Sequence, residues 1–155
     1  MQGKIIYDEN GNIKEVYGYK LFSEDLKGYN DFQFEIGKQY HISSIQAKSS
    51  GFHFALRLED TLRYQFKEQE PRICLVHGFG EIVSFDDDYY RYDNLYASTD
   101  IEIIKEVSRK EIIAYYESIK DNPYYKREHQ RFCQLYPLTD EERSLLKRTR
   151  HPHRR

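Results

Sequence analysis

The period of the apolar residues changes for the rest of this 155-residue chain near residue 107. Before that point apolar residues come in short runs with alternating character, broken by Gly, Asn and Asp, the mark of half-buried strands. After it they recur at helical spacing. The pattern predicts an α+β fold: a mixed, mostly antiparallel sheet with one short inserted helix over residues 1–107. A helical extension over 108–150 is expected to pack on it within a single domain, and a basic tail, 151–155, is expected to be disordered. No window approaches the run of apolar residues that a membrane helix needs. With no apolar leader at the N-terminus, a cytoplasmic protein is the expectation.

Within the first part, Lys4–Tyr7 and a return strand to Phe22 form a hairpin. Asn10-Gly11 is its turn, because both residues tolerate the positive φ of a type I′ turn. The return strand is expected to bury Ile13, Tyr17, Tyr19 and Leu21 on one face. Further strands are predicted at 33–36, 39–42, 52–54, 72–77, 81–85 and 101–107. Leu58, Leu62 and Phe66 predict a short amphipathic helix over 57–67. In the second part Ser108 caps one helix. Asn122-Pro123 opens a second, and Thr139 with Glu142 makes a capping box for a third, 140–149.

Charge narrows the function classes. Residues 147–155 hold five of the 24 basic residues and no acid, leaving 19 basic against 26 acidic residues in 1–146. An acidic body with a basic tail does not describe a dedicated nucleic-acid-binding domain. The tail could still touch nucleic acid or an acidic partner. The pairs Tyr115-Tyr116 and Tyr124-Tyr125 stand among Lys126, Arg127, His129 and Arg131, and aromatics interleaved with cations can track a single strand. Cys74 and Cys133 form no CxxC pair, and Cys74 sits in an apolar run as a buried thiol would. Cys74 and His77 should face opposite sides of a strand. No metal-ligand spacing, Walker loop or nucleophile elbow is present.

The segment Gly51-Phe52-His53-Phe54-Ala55, with Tyr64 eleven residues beyond His53, resembles the second signature of the ADP-ribosyltransferase fold. There a glycine opens a strand and two aromatic residues at this spacing hold nicotinamide between their rings. The resemblance implies NAD as ligand, held by His53 and Tyr64, with Tyr19 near the nicotinamide ribose. Glu81 or Glu102 would steady an oxocarbenium-like state as the nicotinamide–ribose bond breaks.

A broader pattern runs through Gly18-Tyr19-Lys20-x-Phe22, Phe32-x-Phe34-Glu35-x-Gly37-Lys38-x-Tyr40 and Gly51-Phe52-His53-Phe54. It is similar to a small uncharacterised domain of bacterial and phage proteins, covering about residues 17–107. That family implies no activity. The expected function is therefore a binding or regulatory module without demonstrable catalysis. The alternatives are an ADP-ribosyltransferase-like NAD-binding domain, or a protein- or nucleic-acid-binding protein that works through its helical extension and basic tail.

Overall fold

The computed structural model describes residues 2–28, 31–45, 50–63, 70–87 and 92–149. The chain falls into two compact units, Met1–Val107 and Ser108–Arg155. The first is a six-stranded sheet: β1 (Lys4–Tyr7), β2 (Ile13–Phe22), β3 (Gln39–His41), β4 (Phe52–Ala55), β5 (Arg72–Asp87) and β6 (Tyr92–Glu106). The second holds α1 (Arg109–Ile119), α2 (Lys126–Leu135) and α3 (Asp140–Leu146). The protein is α+β, as expected. Every pairing among the described strands is antiparallel, so the sheet is not mixed there. Its strands are joined without the long helical crossovers that parallel neighbours need.

The β1–β2 turn forms where Asn10-Gly11 predicts it, but it is not type I′. Gly11 has φ 81° and Asn10 is not in the positive region. The Asp8 carboxylate instead accepts the Asn10 and Asn12 N–H groups at 2.8 and 2.9 Å. It thereby offers the backbone a five-residue loop in place of a two-residue one.

The pairings close on themselves. β2 pairs with β5 from Val16↔Gly78 to Phe22↔Arg72, and β5 pairs with β6 along most of its length. β6 then pairs with β4 from Phe52↔Ser98 to Ala55↔Leu95, and β4 returns to β2 at Tyr19↔Ala55. These four strands form a ring. β1 extends the β2 edge and β3 the β6 edge. The interior holds Val16, Phe22, Phe52, Phe54, Cys74, Val76, Tyr96, Ile101 and Ile103, with Leu26, Phe34 and Leu56 packed in.

Ile13 packs against the core as expected, but from Val16 on the alternation of β2 is the reverse of expectation: Val16 and Phe22 face the core, while Tyr17 and Tyr19 face outward, half-buried. Leu21 is buried on the outer side. A ring buries the concave face, and that face is lined by the even positions, where Gly18 and Lys20 had disguised the apolar pattern.

Other elements differ for local reasons. Gly78 and Gly80 do not end a strand; β5 runs through them with an irregularity between Phe79 and Ile82. Gly80 adopts φ 77°, and the Glu81 N–H goes to the Thr99 hydroxyl at 3.0 Å, as a bulge allows. β6 begins at Tyr92, well before residue 101, although Asp, Asn, Ser and Thr dilute its pattern. Residues 33–36 form no strand beyond the isolated bridge Lys27↔Gln33. They lead into a turn with Gly37 at φ 89° and Glu35 paired with Lys38. The predicted helix 57–67 is a 3-10 helix over Leu58–Arg63. The Thr61 hydroxyl donates to the Leu58 carbonyl at 2.7 Å, and the helix packs Leu58 and Leu62 against β2 and β4. Residues 64–67 lie outside the described residues.

In the helical unit the sequence signals for the starts hold. Ser108 and Thr139 form capping boxes with Glu111 and Glu142, and Asn122 caps a 3-10 turn, Pro123–Tyr125, that leads into α2. α3 ends at Leu146, three residues short of expectation, and the tail 151–155 lies outside the described residues. Arg109 ties the ends of α1 and α3 together. Its guanidinium donates to both Glu142 oxygens at 2.9 and 3.0 Å and to the Pro137 carbonyl at 2.6 Å.

That fork, with the Thr139 backbone N–H, holds the Glu142 carboxyl down at about 2. A carboxylate depressed in the folded state stabilises it fully above the unfolded value near 4.5 and loses that effect as pH falls toward 2. Glu142→Gln is expected to cost about 1–2 kcal/mol at pH 7. The cost should shrink steadily between pH 4.5 and 2, read by urea unfolding of the helical signal. A penalty independent of pH would contradict this role.

Candidate functional site

The three segments of the broad sequence pattern meet in space at one end of the ring. Gly18 lies where β2 touches β4: a Cβ there would fall on the Ala55 carbonyl oxygen, well inside van der Waals contact. Past the Tyr19↔Ala55 pair no further β2–β4 pair follows. The His53 carbonyl receives instead the Lys20 ammonium, at 2.7 Å. Lys20 also stands 5.7 Å from the Phe22 ring centre and 5.6 Å from that of Phe34, distances at which a ring face attracts a cation. Phe34 is the hub of an aromatic cluster with Phe22, Phe32, Tyr40 and Phe52, at centroid separations of 4.7 to 6.1 Å. The Tyr40 hydroxyl accepts the Glu35 N–H at 2.8 Å.

Burial pushes the Lys20 amine down to about 8. His53 is also pushed down, first by burial and then by Lys20, against the Gly51 carbonyl. Its ring stacks on Phe85 at 5.3 Å, 9° from parallel. This end of the ring is a clamp. It was not among the sequence-predicted sites, although a lysine at every-second-residue spacing from Val16 and Phe22 was its signal.

The second assembly lies on the outer face of β1, β2, β5, β6 and β3. Register places Lys4, Tyr17, His77, Glu102 and Gln39 in one row across it. Phe79, Asp100 and His41 stand in the next row, with Glu15. Tyr17 stacks on His77 at 4.4 Å and 8°, and His77 on Phe79 at 4.9 Å. The acids are fixed around this stack. Glu15 shares a 2.8 Å hydrogen bond with His77 Nε2, and Gln39 donates to Glu102 at 3.2 Å. Asp100 pairs with His41 Nδ1 at 2.8 Å and accepts the Thr99 hydroxyl at 2.8 Å. Tyr17, His77 and Phe79 are half-buried, while Lys4, Gln39 and His41 at the ends of these rows are exposed.

Of the NAD-site residues, Tyr19 and His53 share the outer face beside the β2–β4 contact. Glu102 stands in the Tyr17–His77 row, with β5 between it and β2. Glu81 is exposed at the β5 bulge, and Tyr64 lies outside the described residues. Cys74 is in the core, pushed up to about 12 chiefly by burial, while His77 is on the opposite face. Among the described residues no group of three or more His, Cys, Asp or Glu side chains could hold a metal ion, and no helix is long and apolar enough to cross a membrane.

A small antiparallel strand ring followed by three helices is the architecture into which this chain's family must be fitted. The model of a family described as a domain of unknown function (DUF7666) matches residues 16–115, more than half the chain. The chain belongs to that family. No curated protein and no solved structure matches it.

The Lys20 clamp has a pH signature. A lysine whose folded value is below its unfolded 10.5 binds its proton less readily when folded, so stability rises with pH through the interval from about 8 to 10.5. Urea unfolding across that interval should show the wild type gaining on Lys20→Met. A constant difference between the two would contradict the clamp.

Proposed function

We propose that the sheet unit is a non-catalytic binding module, and that the outer face of β1, β2, β5, β6 and β3 takes an arginine-bearing segment of a partner protein. The observation that carries this reading is the Tyr17–His77–Phe79 stack framed by Glu15, Asp100 and Glu102. A guanidinium is planar, stacks on aromatic faces and matches a carboxylate through two parallel hydrogen bonds. Both complements lie here within one face, and their geometry is set by hydrogen bonds before any ligand arrives. Met1–Val107 carries 12 basic and 19 acidic residues, a net −7, which favours the approach of a cationic segment.

Calorimetry with short arginine-containing peptides tests this. Tyr17→Ala and Glu102→Gln should each weaken binding by about fivefold to tenfold, and replacing the peptide arginine by lysine should weaken it as well. Equal binding by Tyr17→Ala would overturn the reading. NAD is the control ligand: heat of NAD binding that vanishes in His53→Ala would favour the ADP-ribosyltransferase-like alternative instead.

A further inference from the structure

We propose that the helical unit binds duplex DNA through the exposed face of α2. This goes beyond the peptide-binding reading and rests on different residues. Ser108–Arg155 holds 12 basic and 7 acidic residues, a net +5 against the −7 of the sheet unit. Five of those basic residues are in 147–155, but the ordered arrangement is on α2. Arg127, Gln130, Arg131 and Gln134 fall at i, i+3, i+4 and i+7, on one face of the helix. Arg127, Gln130 and Gln134 are exposed and Arg131 is half-buried. Lys126 and Tyr124 stand at the start of this stripe, Tyr124 58 % exposed.

The one acid of α2, Glu128, is buried with His129 and Phe132. This buried face anchors the helix. Phe132 stacks on Tyr116 at 4.1 Å, 1° from parallel, and packs on Tyr136 at 4.5 Å. The fold therefore uses one side of α2 and leaves Arg127, Gln130 and Gln134 exposed on the other.

These are the side chains whose paired donors and acceptors fit base edges. Arginine matches the guanine edge and glutamine the adenine edge, and arginine and lysine also hold phosphates. A ten-residue helix is about 15 Å long and 10–12 Å across, a fit for the major groove of B-form DNA but not for the narrow one of A-form RNA. An acidic protein partner would be served by any cluster of cations. It gives no role to the glutamines that alternate with the arginines along this face.

Fluorescence anisotropy with the full chain and a labelled duplex of about 20 base pairs, two helical turns, tests the proposal. Binding should saturate at about 50 mM salt and weaken steeply toward about 200 mM. The double variant Arg127→Glu/Gln130→Glu, at two exposed positions, should lose at least about tenfold in affinity and show a shallower salt slope. A chain ending at Thr149 should keep most of the α2-dependent loss. Absence of duplex binding would overturn the proposal, as would tighter binding to a single strand of the same sequence. So would unchanged affinity of the double variant, or loss of binding only when the tail is removed.

Discussion

The sheet unit depends on one close contact, where β2 meets β4. Three ladders lead around the ring, and β2 meets β4 at the pair Tyr19↔Ala55, with Gly3 donating to the Leu56 carbonyl and Gln2 bridging Arg57 beside it. Gly18 permits it by having no side chain to hold the Ala55 carbonyl away. Where the two strands part, a carbonyl would be left in an apolar setting without a donor, which costs about 1–3 kcal/mol. The Lys20 ammonium supplies that donor. The hydrogen bond and the Phe22 and Phe34 ring faces offset part of the cost of burying an amine there. Closure also satisfies strand edges that an open sheet would expose.

Closure decides which residues face outward. Val16, Gly18, Lys20 and Phe22 must turn inward, so Glu15, Tyr17 and Tyr19 turn out, and the β5 and β6 registers bring His77 and Glu102 alongside. The aromatic and acidic face is thus a consequence of the same contact that makes the core. It is built on paired strands rather than on loops, which keeps the stack and its carboxylates at fixed separations.

Local signals in the sequence are legible where they act through neighbouring residues. Helix starts at Ser108, Asn122 and Thr139 are such cases, because a cap needs only the next three residues. The change of period near 107 and the buried state of Cys74 were legible for similar reasons. The face assignment of β2 was not, because the inward positions include a glycine and a lysine whose roles exist only once β4 and Phe34 are in place. A glycine bulge and a glycine stop look alike in one dimension, so the sequence predicts two strands where β5 is one. For the candidate site, the sequence groups Glu102 with Tyr19 and His53, whereas the strand register groups it with Tyr17 and His77. Pairing residues 17, 77 and 102 across three strands requires a register that no local pattern encodes.

The β2–β4 contact therefore turns on Gly18. In an open strand Gly→Ala stabilises by about 0.5–1 kcal/mol, since glycine loses more freedom on folding. At the β2–β4 contact the added methyl must displace the backbone. The measurement is urea unfolding of Gly18→Ala. The account predicts a loss of about 2–3 kcal/mol, the scale of overpacking against an unyielding neighbour. Stability equal to or above that of the wild type would show that the ring is not closed there.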